Sequence, residues 1–253
     1  MLSNLSRFFK ELLLVQQLLP FPLYARWVLG SVKNLGVLIK TQSLGILDRN
    51  LGSPFHIIFH GKKISFSDVD FGVVREIYGH LCYAQTGELR NAKHILDLGA
   101  NGGAFTIFAL TEAPQANVYA VEAQSEFINI LENNIQKNSY SDRAETECAV
   151  VGGFYDDWTQ SLAKLNPNVK EFNIYEYIQS VGICDFLKCD VEGGEFHLFE
   201  GDLSWTKSVK KMALEFHPSK GDVDQLESKI KSQGFKVKRV DHRNLGYFYC
   251  ERE

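Results

Sequence analysis

The part of the chain from Lys93 onward alternates regularly between short apolar runs and amphipathic stretches. Short apolar runs predict buried strands, and apolar residues spaced three and four apart predict helices. The predicted strands span His94–Leu98, Asn117–Val121, Ala144–Val150, Asp185–Cys189, Lys210–Phe216, Phe235–Val240 and Tyr247–Cys250. The predicted helices span Ala104–Glu112, Ser125–Asn138, Glu195–Leu203 and Val223–Gln233. Such an alternation predicts an α/β fold with a doubly wound, Rossmann-like sheet that is mostly parallel.

Two segments depart from this alternation. The last two strands have only Asp241 to Gly246 between them, which is too short for a crossover helix. They are therefore expected to form an antiparallel hairpin at the edge of the sheet. Residues 152–182 carry no clear strand and helix pattern, and we expect this segment, with Phe154–Trp158, to run over the binding face.

The composition excludes several classes of protein. The chain has 253 residues, 45% of them hydrophobic, which suits one large domain or a domain with an appendage. A net charge of −4 argues against a general nucleic-acid binder. Five scattered cysteines without a CxxC pair predict neither a disulfide framework nor a zinc site, and with the absence of a long apolar run they favour a cytoplasmic protein.

The first fifty residues differ from the rest in charge. They contain six basic residues against two acidic ones. Apolar residues between Leu5 and Leu19 approximate a helical stripe, Pro20 and Pro22 interrupt it, and Leu23–Lys40 is a second predicted helix. We interpret this segment as a basic amphipathic hairpin that packs on the body of the protein or on a second subunit, or that lies on a membrane surface.

The chain is accordingly divided into three predicted parts. Residues 1–50 form the basic helical segment, residues 51–90 a lead-in, and residues 91–253 the sheet domain. In the lead-in, Phe55–Phe59 and Lys63–Ser67 are expected to be two strands around a turn, followed by a helix from Phe71 to about Ala84.

A glycine-rich turn follows the first strand of the sheet domain. The segment from His94 to Gly103 would bring the backbone N–H groups of Gly99, Asn101 and Gly103 against a ligand at the carboxyl edge of the sheet. A dinucleotide fingerprint that starts at Gly99 needs glycine at position 101, where the sequence has asparagine. Asp97, directly before the turn, suits a cationic ligand. Both features favour S-adenosyl-L-methionine over a nicotinamide dinucleotide.

The next two strands supply further candidate contacts to this cofactor. Glu122 ends the second strand, where a carboxylate can accept both ribose hydroxyls. Ala149, near the end of the third strand, is a candidate for the wall of the adenine site. The asparagines Asn133, Asn134 and Asn138 are interpreted as surface and helix-capping residues.

Three segments between about Asp70 and Pro218 resemble the FkbM family of S-adenosylmethionine-dependent methyltransferases. They are the turn DLGANGGAFT from Asp97 to Thr106, the strand end at Glu122, and the block FLKCDVEGGE from Phe186 to Glu195 with LEFH from Leu214 to His217. The resemblance implies a class I methyltransferase sheet and O-methylation of a hydroxyl on a sugar or other small metabolite.

The block after the fourth strand carries the candidate catalytic residues. The first and fourth strands are neighbours at the switch point of such a sheet, so Asp97 and Asp190 should flank one cleft and Asp190 should contact both cofactor and acceptor. Extended geometry would aim Asp190 and Glu192 to the same side, and His217 ends the neighbouring fifth strand. Each is a candidate base for removing the proton of an alcohol. Lys188 is expected to pair with a carboxylate.

Three alternatives stay open at this point. Asp190, Glu215 and His217 could hold a divalent cation, but nothing in the local sequence fixes a coordination geometry, and we predict no metal site. A nicotinamide-dependent oxidoreductase would keep the fold and change the cofactor. A non-catalytic S-adenosylmethionine-binding or assembly protein would bind the cofactor without turnover.

Overall fold

The computed structural model describes residues 2–33, 45–85, 87–166 and 169–252. The strands span Phe55–Phe59 (β1), Lys62–Phe66 (β2), His94–Leu98 (β3), Asn117–Glu122 (β4), Ala144–Val150 (β5), Lys170–Glu171 (β6), Cys184–Cys189 (β7), Val209–Phe216 (β8), Lys236–Asp241 (β9) and Gly246–Glu251 (β10). The α-helices span Leu2–Leu18 (α1), Phe21–Lys33 (α2), Gly45–Leu51 (α3), Phe71–Val74 (α4), Ala104–Glu112 (α5), Ser125–Lys137 (α6), Asp157–Leu165 (α7), Ile174–Val181 (α8), Gly194–Leu198 (α9) and Val223–Ser232 (α10).

Eight strands form one sheet in the order β6-β5-β4-β3-β7-β8-β10-β9. The strands from β6 to β8 are parallel, whereas β10 is antiparallel to both β8 and β9. The predicted doubly wound sheet with an antiparallel hairpin at one edge is therefore confirmed. In this order β3 lies between β4 and β7, so the carboxyl ends of these three strands meet at one place, which is where ligands bind in such sheets.

The central strands and their first crossover helix are buried on all sides. Ile95, Leu96 and Leu98 of β3 are fully buried, and α5 is buried over nearly its whole length. A strand that is covered on both faces has a continuous apolar run instead of alternating residues. For this reason β3 and α5 have the bounds predicted from the sequence.

The N-terminal helices pack against the lead-in. Val15 and Trp27 belong to the same buried cluster as Ile57 of β1. The buried Arg75 guanidinium lies 2.8 Å from Glu11 of α1 and 3.1 Å from Asp48 of α3. The described part of this segment therefore contacts the body of the protein. None of the described helices combines the length and apolar character needed to cross a bilayer.

Several element bounds differ from those predicted. The helix expected from Phe71 to about Ala84 is α-helical only to Val74 and continues as a π turn over Arg75–Gly79. It ends there because Leu81 adopts a left-handed conformation and Gly79 packs directly on Leu14, whose Cδ2 would lie 2.5 Å from an added Cβ.

Two further predictions differ in their extent. The helix expected over Glu195–Leu203 ends at Leu198, before Gly201 with its φ of +70°, and a 3₁₀ turn follows at Ser204–Ser208. The second N-terminal helix is described from Phe21 to Lys33, and the remainder of the predicted stretch, residues 34–40, lies outside the described residues.

Candidate active site

The glycine-rich turn after β3 is held by backbone contacts on two sides. The N–H groups of Gly99 and Ala100 both donate to the carbonyl of Val121, each at 2.9 Å. Gly99 has a φ of +78°, and a Cβ at this position would lie 1.7 Å from the carbonyl oxygen of Asp190. Glycine is therefore required here, because any side chain would push the end of β7 away from the turn.

Glu122 lies at the end of β4 with its carboxylate against the turn. Its two oxygens accept the N–H groups of Asn101 and Gln124, each at 2.9 Å. Burial raises the pKa of this carboxyl, although the backbone hydrogen bonds act in the opposite direction. Each carboxylate oxygen keeps a further lone pair. This fixed carboxylate can accept two hydroxyl groups of a ribose.

A cleft opens between this turn and the ends of β5 and β7. Its lining comprises Gly99, Asn101, Val121, Glu122, Ala123, Gln124, Ala149, Val150, Val151, Tyr155, Trp158, Thr159, Asp190, Val191 and Glu192. Three of these residues are carboxylates, and among the described residues of the lining none is a lysine or an arginine. A cationic sulfonium nucleoside fits this lining, whereas a pyrophosphate would meet negative charge on several sides.

The candidate cofactor residues are only partly brought together in this cleft. Gly99, Asn101, Glu122, Ala149 and Asp190 line it. The expectation that the N–H groups of the turn face a ligand is wrong, because Gly99 donates to Val121, Asn101 to Glu122 and Gly103 to Ala100. Gly103 lies deeper, where it begins α5 with a φ of +90°. Its position supports a role in shaping the turn.

Asp97 lies beneath the turn and does not face the cleft. Its carboxylate is fully buried, lies 3.1 Å from Lys188 Nζ, and accepts the hydroxyl of Thr106 at 2.6 Å. Lys188 Nζ in turn donates to the carbonyl oxygen of Gly99 at 2.5 Å. The expected direct contact between Asp97 and the cofactor is not supported by this geometry, because its partner is a buried lysine of the neighbouring strand.

Lys188 pairs with a carboxylate, as the sequence predicts. Burial opposes its charge, but the adjacent carboxylates of Asp97 and Asp190 outweigh this effect, so the pKa of Lys188 is raised. A lysine that remains charged and is fully occupied in this way holds the turn and does not act as a base.

The candidate catalytic side chains converge at the ends of β7 and β8. Asp190, Glu192 and His217 each offer one polar atom, and these atoms lie within 4.8 Å of one another. The three side chains lie close together, as expected. Glu192 reaches this position through a left-handed turn with a φ of +53° and not through an extended strand. The three side chains are therefore arranged by the turn that follows β7 as well as by the sheet.

His217 contacts carboxylates with both ring nitrogens. Nδ1 lies 3.1 Å from Glu195, and Nε2 lies 3.3 Å from Glu192. The hydrogen bond to Glu195 and the surrounding negative charge outweigh burial and raise the pKa of His217 to about 9. His217 is therefore charged at neutral pH, where it can orient Glu192 and balance the carboxylates but cannot accept a proton.

The polar atoms of Asp190, Glu192 and His217 are close enough to hold a metal ion, but the contacts of His217 oppose metal binding. A charged imidazole has no free lone pair for a metal, and both His217 nitrogens already face carboxylates. We predict that methyl transfer is unchanged in excess EDTA, as measured by label incorporation after the protein has been dialysed against the chelator. Loss of activity that Mg²⁺ or Mn²⁺ restores would contradict this prediction.

The structure adds two residues that the sequence analysis did not assign to the site. Tyr83, from the lead-in, lies 2.8 Å from Asp190 and 2.9 Å from Glu215 through its hydroxyl. Asn134 was interpreted as a surface or capping residue, and this was wrong, because its buried amide donates to the carbonyls of Gly102 and Ser67. No local pattern marks either residue, since their partners are distant in sequence.

Comparisons with known proteins agree with the resemblance in the sequence. The model of the Methyltransferase FkbM domain matches residues 97–237. A curated relative, the 31-O-demethyl-FK506 methyltransferase FkbM of Streptomyces tacrolimicus, is 25% identical over 211 residues, which cover 64% of this chain and 80% of the relative.

Solved structures of other proteins have a partial likeness to this chain. The precorrin-6y C5,15-methyltransferase of Geobacter metallireducens GS-15 has a TM-score of 0.42 at 12% identity and covers 66% of this chain and 86% of its own. TrmK of M. capricolum, solved with S-adenosyl-homocysteine, has a TM-score of 0.44 at 12% identity, and the match covers 65% of this chain and 64% of TrmK.

The domain match spans more than half of the chain and includes the glycine turn, Glu122, Asp190, Glu192 and His217. It decides between the cofactors that the sequence left open, so the cofactor is S-adenosylmethionine and not a nicotinamide dinucleotide. The chain belongs to the FkbM family of methyltransferases.

Proposed function

We propose that this protein is an O-methyltransferase that transfers the methyl group of S-adenosylmethionine to a hydroxyl of a sugar or another small metabolite. The observation that carries the proposal is the position of Asp190 and Glu192, which line the same cleft as the glycine turn and Glu122. Carboxylates beside the cofactor provide what an alcohol needs, which is a group that can take its proton.

The chain's own residues have separate roles in this proposal. Glu122 holds the ribose of the cofactor, and Ala149 contributes to the wall beside it. Gly99 and Asn101 shape the turn against which the nucleoside lies, since their N–H groups already donate to Val121 and Glu122. The bound cofactor supplies an electrophilic methyl group on a sulfonium sulfur. Methyl transfer requires the acceptor oxygen roughly 3–3.5 Å from that methyl group and in line with it, so positioning by the cleft provides much of the rate.

Asp190 is the proposed base. It is half-buried, lines the cleft and is fixed by the hydroxyl of Tyr83 at 2.8 Å. Glu192 is less confined, with 71% of its side chain exposed, and it is paired with His217. We assign Glu192 and His217 to orienting the acceptor and balancing charge at the mouth of the cleft.

The curated relative supports the choice of an oxygen acceptor. Its name describes a methyltransferase of 31-O-demethyl-FK506. The agreement concerns the chemistry of the reaction, which is transfer of a methyl group to oxygen.

The test is a screen for methyl incorporation from S-adenosylmethionine with a ¹³C-labelled methyl group into metabolite and glycan extracts. The proposal expects a labelled product in which the methyl carbon is bonded to oxygen, as read from carbon–proton correlations. A product methylated on nitrogen or carbon would contradict it. Cofactor binding without turnover on any extract would support a non-catalytic binding or assembly protein instead.

For the N-terminal segment, residues 1–50, we propose contact with an anionic membrane surface through side chains of α1 and α2 that do not pack on the body of the protein. Four large apolar side chains of α1 and α2 are exposed, with exposed fractions of 56% for Phe9, 61% for Leu13, 80% for Phe21 and 63% for Leu29. The segment also has an excess of basic residues. Exposed apolar side chains together with positive charge favour the interface of a negatively charged bilayer.

We predict that the protein floats with phosphatidylserine-containing vesicles and that the double substitution Phe9→Ser with Leu13→Ser abolishes flotation. Leu165→Ser is the matched control, because Leu165 of α7 is 82% exposed but lies outside this segment. Equal flotation of wild type and double variant would contradict the proposal. A dimer that the double substitution dissociates, without flotation, would assign the surface to a second copy of the chain.

A further inference from the structure

The hydroxyl of Tyr83 lies between two carboxyl groups. Its oxygen is 2.8 Å from Asp190 Oδ2 and 2.9 Å from Glu215 Oε2. A phenol has one hydrogen to donate, and an ionised carboxylate has none. Both contacts can be hydrogen bonds only if one of the two carboxyl groups carries a proton. Asp190, Tyr83 and Glu215 therefore form a hydrogen-bonded row of three groups that shares two protons.

The two ends of this row have different environments. Asp190 lines the cleft, whereas Glu215 is buried on β8 and does not belong to the cleft lining. Tyr83 is itself buried between them. An acceptor molecule can therefore reach Asp190, and the hydroxyl of Tyr83 connects the buried Glu215 to Asp190 by hydrogen bonds.

Several other titratable groups face Glu215. His217 Nε2 on the same strand lies 3.7 Å away, and Tyr247 of the neighbouring strand β10 forms a hydrogen bond to the Glu215 carboxyl. Cys82 of the lead-in is close enough to interact electrostatically with it. Further groups that interact with members of this cluster are Glu76, Lys188, Glu192, Glu195 and Tyr249.

Negative charge and burial act together on Glu215. Burial and the nearby Asp190 carboxylate raise the pKa of Glu215 to about 7, and the hydrogen bonds from Tyr83 and Tyr247 compensate only in part. A carboxyl with this pKa changes its protonation state near neutral pH. This pKa agrees with the conclusion that one carboxyl group beside Tyr83 carries a proton, a conclusion that rests on the two distances alone.

We infer that Glu215 is a positioning residue that stores a proton for Asp190 through the hydroxyl of Tyr83. This inference rests on the proposed O-methylation. As the acceptor oxygen forms its bond to the methyl carbon, the sulfur–carbon bond breaks and its electron pair stays on sulfur. The acceptor O–H bond breaks and its proton goes to Asp190. The row enters this step with one proton, on Tyr83, and with both carboxyl groups ionised. One proton then moves from Asp190 to Tyr83 and another from Tyr83 to Glu215. The row ends with the two protons that the distances at Tyr83 require, one on Tyr83 and one on Glu215, and Asp190 is ionised again.

The first test needs no acceptor. Infrared titration of the protein without ligands follows the band of protonated carboxyl groups. We expect a carboxyl that titrates near pH 7 in the wild type and is absent in Glu215→Gln. In Asp190→Asn this carboxyl should titrate at lower pH, because the negative charge across Tyr83 is removed. A wild type with no such carboxyl, or a titration unaffected by Asp190→Asn, would overturn the inference.

The second test uses the acceptor found by the labelling screen. Glu215→Gln keeps the size of the side chain but cannot take up a proton, and Tyr83→Phe removes the connecting hydroxyl. Both are expected to lower kcat by about tenfold, which is less than the roughly 10²–10⁴-fold contributed by a base that contacts the acceptor directly. Both should also remove the acid limb near pH 7 that Glu215 gives to the pH–rate profile of the wild type, with cofactor affinity unchanged. Tyr249→Phe is the control, since its hydroxyl donates to the carbonyl of Cys82 and does not join the row.

The outcomes separate this inference from the proposed function. If Asp190→Asn retains full activity, Asp190 is not the base and the proposed chemistry is wrong. If Asp190→Asn is inactive while Glu215→Gln keeps the wild-type acid limb, only the role of Glu215 is wrong. Thermal unfolding of each variant shows whether it is folded, and the infrared titration distinguishes proton storage from a purely structural effect in any variant that is folded.

Discussion

Asp190→Asn is expected to lower the rate of methyl transfer by about 10²–10⁴-fold while cofactor binding is kept. Asparagine has nearly the same size and can still accept the hydroxyl of Tyr83, but it cannot take a proton from an alcohol. The Asp190 carbonyl, which lies against the glycine turn, is unaffected because the change is confined to the side chain. Single-turnover label transfer measures the rate, and calorimetric titration measures the affinity for S-adenosylmethionine.

Asp185→Asn is the matched control for this substitution. Asp185 lies near the start of β7, the strand that Asp190 follows, and it pairs with Lys210 at 2.7 Å away from the cleft. We expect it to leave the rate unchanged. An Asp190→Asn variant that binds cofactor and transfers methyl at the wild-type rate would show that the reaction needs no base at this position.

Glu122→Gln is expected to weaken S-adenosylmethionine binding by about tenfold to 150-fold. In glutamine, an amide NH2 group replaces one of the two carboxylate oxygens. The backbone N–H group that donated to this oxygen then faces a second donor, and the ribose loses one acceptor. Hydrogen bonds to a charged group contribute about 1.5–3 kcal/mol each, which corresponds to this range of dissociation constants. Calorimetric titration with the cofactor provides the measurement.

The control for Glu122→Gln is Glu126→Gln. Glu126 is exposed in the first turn of α6, close to Glu122 in sequence but outside the cleft lining. Its substitution should leave the affinity unchanged. If Glu122→Gln also bound S-adenosylmethionine with wild-type affinity, the ribose could not be bound by this carboxylate.

The sheet and the polar ends of its strands could be predicted from the sequence because both depend on local patterns. β3 and β5 have the bounds that the alternation of strands and helices predicts. The convergence of Asp190 and His217 followed from the order of parallel strands, which places the ends of β7 and β8 side by side. Lys188 pairs with a carboxylate for the same reason, since β3 and β7 are neighbours.

The contacts that depend on distant segments could not be predicted. Tyr83 reaches Asp190 across 107 positions, and Asn134 reaches Ser67 across 67. Asp97 has the residue type and position of a ligand contact, but its carboxylate pairs with Lys188, a buried lysine of the neighbouring strand β7. In each case the partner is distant in the sequence and comes close only through tertiary packing, so no spacing pattern in the sequence indicates the contact.

The secondary structure of the segment over the cleft could not be predicted from the sequence either. Residues 152–182 have no clear periodicity, yet they form α7, β6 and α8. Helix α7 begins at a capping box in which Asp156 accepts the N–H of Thr159. The segment is divided by the helix caps at Asp156 and Asn173 and by a strand of only two residues, so it lacks the regular alternation of strands and helices found elsewhere after Lys93.

A crystal structure of the protein with S-adenosyl-homocysteine tests most directly whether the turn, Glu122 and the carboxylates form one active site. We predict that both ribose hydroxyls donate to Glu122, that the adenine lies beside Ala149, and that the sulfur points toward Asp190. A ribose bound away from Glu122, or a sulfur directed away from Asp190 and Glu192, would contradict the proposed site.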